Sequence, residues 1–232
     1  MIQIETGNTM NRLLLALLLA ALLMLSACAI PGQNAKPGTT AADLKTPTTE
    51  QRTDDAMGFS CDAVFFGDSI TADSNFGDYY PELRIVNLGV YGDTIEDLRA
   101  RVDQVRTANP ARIFVLVGIN CLRPDNVDDC LDQYRALLRE LSAACPRAEL
   151  VIQSVLPIGR ELDADGREND AVRRFNTGLR GLAAEYGLAY ADIYAAYEKD
   201  GVLDPALTRD GVHLNFTAYG PWAEVIRPLI GG

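Results

Sequence analysis

Ser69 stands in Gly67-Asp68-Ser69-Ile70-Thr71, directly after the apolar run Ala63 to Phe66. The run is too short for a helix and rich in strand formers, so it reads as a strand. A chain leaving a strand through Gly-Asp-Ser turns sharply and lifts the serine hydroxyl to the strand's carboxyl end, where open parallel sheets bind their ligands. Gly, Asp and Ser are also ordinary turn residues, and alone the stretch fits a plain turn equally well. A serine hydroxyl becomes a nucleophile at neutral pH only with a base beside it. His213 is the only histidine of the chain, so any serine–histidine mechanism must use it. It closes Asp210-Gly211-Val212-His213. That spacing lets the Asp210 carboxylate bond one imidazole nitrogen while the other faces outward, which fixes the tautomer and stabilises the imidazolium. Asp204 is the alternative acid.

Acyl transfer also needs donors for a developing oxyanion. In Asn87-Leu88-Gly89-Val90-Tyr91-Gly92-Asp93-Thr94, Gly92 lets its backbone N–H approach a substrate closely. In Gly118-Ile119-Asn120 the Asn120 amide is a second donor. Each also fits a structural turn. Their common position favours chemistry: Ser69, Gly92, Asn120 and the Asp210–His213 pair all fall just beyond the carboxyl ends of predicted strands. Unrelated turn residues would be spread over both edges.

The elements that must position these groups alternate along the chain. Strands are predicted at Ala63–Phe66, Ile85–Leu88, Ile113–Val117, Leu150–Val155 and Leu188–Ala191. One helix is predicted after Asp93, N-capped by that residue with Glu96 behind it, running through Ile95, Leu98, Val102 and Val105 to a stop at Pro110. A second carries Leu131, Tyr134, Leu137, Leu138 and Leu141 on one face. A third carries Val172, Phe175, Leu179, Leu182 and Tyr186 and stops at Gly187. The last runs from about Thr217 to Ile230. The long loop from Leu156 to Glu168 is placed to line a site. Alternating strands and amphipathic helices specify one α/β domain with a parallel sheet covered on both faces.

The blocks FFGDSIT, NLGVYGDT, VGIN and DGVHLN, followed by AYGPW, resemble the GDSL-type, or SGNH, serine hydrolases. The similarity spans roughly Asp62 to Leu229. It implies a flavodoxin-like three-layer α/β/α sandwich with a five-stranded parallel sheet in the order 2-1-3-4-5. It implies Ser69 as nucleophile, His213 as base and Asp210 as its orienting acid. It also implies an oxyanion hole made by the Ser69 and Gly92 N–H groups and the Asn120 amide. The other serine-hydrolase elbow, G-x-S-x-G, is absent because position 71 is Thr. One departure stands out: many relatives carry Asp after the third-block Asn, where this chain has Cys121. The reaction implied is hydrolysis of an ester, with short acyl groups favoured because there is little room for a lid. Transfer of an acetyl group to a cell-envelope carbohydrate is the alternative. It is disfavoured because Tyr91 and the Leu156–Glu168 loop lack an aromatic cluster and Trp222 falls in the last helix.

The remaining features concern location and partners. Leu13 to Ala27 is almost purely apolar, follows Arg12 and is too short to span a bilayer, so residues 1–27 read as a signal peptide whose true start is Met10. Leu25-Ser26-Ala27-Cys28 resembles the lipobox of bacterial lipoproteins, which implies acylation of Cys28 and anchoring to the cell-envelope membrane. A plain secretory signal cut near Ala27 or Ala29 is the alternative. Residues 28–57, rich in Pro, Gly, Thr and Ala, form a flexible linker, and residues 58–232 the hydrolase domain. A formal net charge of −11 argues against nucleic acid as partner. A monomer without cofactor or metal is expected, no metal-ligand or phosphate-loop spacing being present. In an exported chain, the cysteines read as disulfides, Cys121–Cys130 across a short loop and Cys61–Cys145 across the edge opposite the site.

Overall fold

Among the described residues two strands are buried at every position: β1 (Cys61–Gly67) and β3 (Pro110–Leu116). A strand buried on both faces must lie in the middle of a covered sheet. They pair with each other in parallel, Val64 opposite Ile113 and Gly67 opposite Leu116. On the other side of β1 lies β2 (Ile85–Gly89), and beyond β3 come β4 (Glu149–Gln153) and β5 (Ala189–Ala191). All neighbours are parallel and the order is β2-β1-β3-β4-β5. The computed structural model describes residues 58–165 and 168–231. The signal peptide, the linker and Cys28 lie outside the described residues.

The helices are α1 (Ser69–Ala72), α2 (Phe76–Tyr79), α3 (Ile95–Ala100), α4 (Val102–Ala108), α5 (Val127–Ala144), α6 (Asn169–Tyr186) and α7 (Gly220–Ile230). A short hairpin, β6 (Glu198–Lys199) with β7 (Val202–Leu203), follows β5, where no element is predicted from the sequence. Successive side chains of β1 point to opposite faces. Phe65 stacks on Phe76 of α2 at 4.2 Å, and Phe76 meets Trp222 of α7 edge-on at 5.1 Å. Phe66 instead carries the guanidinium of Arg101 over its ring, 4.5 Å from the centroid. The polar tips of two buried aromatics are matched: the Trp222 Nε1–H donates to Gln153 Oε1 at 2.6 Å, and the Tyr219 hydroxyl donates to the Ile70 carbonyl at 2.8 Å.

Three expectations need correction. The predicted helix up to Pro110 is two helices broken at Arg101, and its cap is Thr94 rather than Asp93. Thr94 and Asp97 form a reciprocal capping box, so Asp97 does what Glu96 was expected to do. In α5 the inward face includes Cys130, while Leu131 lies against Gly178 of α6, where an added Cβ would meet its side chain at 2.4 Å. The two expected disulfides are not formed: Cys61, Cys121, Cys130 and Cys145 are free thiols. Cys130 donates to the Cys121 sulfur at 4.0 Å, about twice a disulfide bond length. Cys61 donates to the Ala108 carbonyl at 3.4 Å.

Candidate active site

The parallel register brings the carboxyl ends of β1, β2 and β3 level, with Gly67 paired to Gly89 on one side and Leu116 on the other. The segments that leave these three ends are therefore forced together. After β1 the chain enters α1 at once. A Cβ at Gly67 would meet the Leu116 carbonyl oxygen at 2.2 Å, so the turn admits only glycine there. Asp68 caps α1, its Oδ1 accepting the Ile70 N–H at 3.0 Å. Ser69 is the first helical residue, a position whose backbone N–H has no acceptor inside the helix. Asn87 of β2 braces this turn: its amide donates to the Thr71 and Ser74 carbonyls at 2.8 and 3.0 Å.

After β2 the chain turns from Val90 to Asp93, with the Asp93 N–H on the Val90 carbonyl at 3.3 Å and Gly92 at φ +83°. A side chain is strained at that φ. The Gly92 N–H has no acceptor among the described residues. After β3, Gly118 at φ +151° lies so close to Phe175 that a Cβ would meet its ring at 2.8 Å. Asn120 comes two residues later, and its amide donates to the Asp93 carbonyl at 2.9 Å. One amide hydrogen thus ties the turn after β3 to the turn after β2, and the second remains available.

The histidine loop comes from the opposite end of the chain. Asp210 Oδ1 accepts the N–H groups of Val212 and His213 at 3.0 and 2.7 Å, and Oδ2 bonds the His213 Nδ1 at 2.7 Å. Gly211, at φ +85°, makes the bend that folds the imidazole back over its own aspartate. Burial raises the Asp210 carboxyl, but the two backbone donors and the imidazole outweigh it and hold the group below the ordinary carboxylate range. An ionised carboxylate only accepts, so Nδ1 carries a proton, and in the neutral imidazole Nε2 is then the acceptor. That nitrogen lies 2.9 Å from the Ser69 hydroxyl. The Leu156–Glu168 loop braces this arrangement from behind, the Gly159 N–H donating to the Gly211 carbonyl at 2.7 Å.

Ser69, Asp210 and His213 are therefore in one hydrogen-bonded chain, with Gly92 and Asn120 joined through Asp93 on the same sheet edge. Asp204 is not in that chain; its side chain bonds the Ala206 N–H and faces Lys199 at 3.8 Å. Of the rim, the sequence reading names only Tyr91 as a possible wall and misses Asp73, Arg209 and Phe216. The Asp73 carboxylate accepts from both the Tyr91 hydroxyl and Arg209, and the Arg209 guanidinium lies 4.8 Å over the Phe216 ring. Tyr91 and Phe216, 61% and 71% exposed, thus flank one ion pair beside the histidine. The Tyr91 ring is 6.3 Å from the His213 ring. Position beside Gly92 and Asp210 was the available signal for Tyr91 and Arg209; Asp73 and Phe216 carried none.

Residues 65–220 match the GDSL-like lipase/acylhydrolase family. An acetylxylan esterase of Geobacillus stearothermophilus is 30% identical over an alignment of 152 residues that covers 58% of this chain and 67% of that protein. A solved GDSL-like lipase from Bacteroides thetaiotaomicron is similar with a TM-score of 0.65 at 19% identity, over 78% of this chain and 97% of its own. A lipase/acylhydrolase from Enterococcus faecalis gives a TM-score of 0.62 at 21% identity, over 73% of this chain and 95% of its own. Likeness of structure at such identities speaks for the fold, and the family match and the acetylxylan esterase relative speak for the chemistry. The chain belongs to the GDSL-like lipase/acylhydrolase family and is a carboxylic ester hydrolase.

Proposed function

We propose that this protein is a serine esterase that releases short acyl groups through an acyl-enzyme on Ser69. The observation that carries this reading is the unbroken run from Asp210 through His213 to Ser69, at 2.7 and 2.9 Å. In the proposed cycle His213 Nε2 takes the Ser69 proton as Oγ attacks the ester carbonyl. The Ser69 and Gly92 N–H groups and the free Asn120 amide hydrogen stabilise the oxyanion. His213 then gives its proton to the leaving alkoxide, and the same steps run with water release the acid and restore the serine. Asp210 stays ionised throughout and stabilises the imidazolium.

Short acyl groups are favoured because a long chain needs apolar surface, about 0.8 kcal/mol being gained per buried CH₂. Among the described residues the exposed large hydrophobics are Val90, Tyr91 and Phe216. Two of these are aromatic, and aromatic faces suit a sugar ring better than an alkyl chain. With the acetylxylan esterase relative, this favours an acetylated carbohydrate as substrate. Export, the signal peptide at 1–27, the lipid anchor on Cys28 and a monomeric state belong to the same reading and rest on the sequence.

The test is a chain-length series of nitrophenyl esters beside acetylated xylan and lysophospholipid, on wild type and Ser69→Ala, with free acid counted against acylated sugar. Acetate released by wild type alone, falling off steeply with chain length, is expected. Activity that survives in Ser69→Ala overturns the nucleophile, and acetyl groups ending mainly on sugar replace hydrolysis by transfer.

A further inference from the structure

The break between α3 and α4 has no local cause. Helix kinks are usually made by proline or glycine, and neither occurs from Ile95 to Ala108. The break falls at Arg101, at φ −122° and ψ 21°, and the destination of its side chain accounts for it. Nε donates to Asp93 Oδ2 at 2.6 Å, Nη1 to the Leu88 carbonyl at 2.8 Å and Nη2 to the Gly67 carbonyl at 2.9 Å, while the guanidinium face lies on Phe66. The Arg101 and Asp93 side chains are both almost wholly buried.

These acceptors are not a random set. Gly67 ends β1 two residues before Ser69, Leu88 is the penultimate residue of β2, and Asp93 directly follows Gly92. Asp93 also receives the Asn120 amide on its carbonyl. One planar cation thus clasps two strand ends and the turn between them. Through Gly67 it reaches the element that carries Ser69, and through Asp93 those that carry Gly92 and Asn120. We infer that Arg101 is a positioning residue for the oxyanion site, and that the helix is broken in order to deliver it. The inference rests on the proposed roles of Ser69, Gly92 and Asn120. Lysine cannot replace it, because an ammonium is a point charge and does not span three acceptors in one plane.

A misplacement of about 1 Å in a site of this kind costs about 10²-fold in rate. Arg101→Lys and Arg101→Ala are therefore expected to lose about 10- to 100-fold in kcat with KM within about 2-fold. Affinity for a boronic acid, which forms a tetrahedral adduct on serine, should fall in parallel. Added guanidinium ion should restore part of the kcat of Arg101→Ala and none of that of Asn120→Ala. Thermal melts identify the folded fraction, to which rates are normalised. If Arg101→Ala does not fold, Arg101→Lys and Asp93→Asn carry the test through the same kcat-to-KM split. Wild-type kcat per folded molecule in Arg101→Lys overturns the inference alone. So does a loss confined to KM. Activity retained by Ser69→Ala, assayed alongside, overturns the reading of the site and the inference with it.

Discussion

Strand β1 carries a buried aspartate near each end, and the two have opposite fates. Asp62, 1% exposed, sits at the amino edge of the sheet and Asp68, 0% exposed, just past the carboxyl edge. Both Asp62 oxygens are occupied: Oδ2 accepts the Arg84 backbone N–H at 2.6 Å and its Nε at 3.1 Å, and Oδ1 accepts its Nη2 at 2.9 Å. Burial raises this carboxyl, but Arg84 outweighs burial and holds it below the ordinary range. Asp68 has one partner, the Ile70 N–H, and its Oδ2 has none. Burial dominates there, and Cys121 and Asp93 add to it, pushing the carboxyl up to about 7. Arg101, which bonds the Gly67 carbonyl, has its charge paired with Asp93. Equal burial therefore produces opposite electrostatics, and the partner decides. The amino edge uses its charge pair to hold two strands in register. The carboxyl edge keeps an unpaired carboxyl next to Ser69 and commits its donors to loops.

If that division holds, changes at one edge should move turnover and changes at the other stability. The largest effect expected is Asp210→Asn, which keeps the loop but supports the wrong histidine tautomer. Turnover should fall by about 10⁴-fold with little change in melting temperature. Turnover near wild type would mean that another carboxylate orients His213. Asn120→Ala comes next, with kcat lower by about 10²–10³ and KM little affected. An effect in KM alone would make Asn120 a substrate-binding residue. At the amino edge, Arg84→Met removes the cation bonded to Asp62 and should cost about 1–3 kcal/mol in a urea titration. Turnover per folded molecule should stay at the wild-type value; a matching loss of kcat would erase the distinction between the edges.

The smallest effect sharpens the comparison by pH. A carboxyl raised in the folded state binds a proton that the unfolded chain has released. Asp68 therefore lowers stability as pH rises from the unfolded value of 3.8 to about 7, and adds no further slope above it. Asp62, lowered in the folded state, contributes stability that is present above 3.8 and lost as pH falls through its folded value. The window between 3.8 and about 7 thus isolates Asp68. Asp68→Asn should remove the decline across that window, read from urea midpoints. An unchanged slope would show that Asp68 is not the group responsible.

Short-range information in the chain was enough for the alternation of elements and for the residues that meet at the site, and the sheet order came with the family resemblance. Strand and helix periods are local, Gly67 and Gly211 mark turns, and the three-residue spacing of Asp210 and His213 lets one carboxylate bond both the backbone and the ring. A lone histidine with an aspartate across a glycine bend was legible for that reason. Other features depend on contacts between distant parts of the chain. The helix break at Arg101 carries no breaker residue, since its cause is three acceptors on β1, β2 and the turn after β2. The rim of Tyr91, Asp73, Arg209 and Phe216 brings positions 73 and 216 together, which nothing local could predict. The four cysteines among the described residues are reduced in the structure, although spacing and export suggested bridges. Asp62 and Asp68 were indistinguishable as letters, because the sign of a buried carboxyl's shift is set by whether a cation from elsewhere in the chain reaches it.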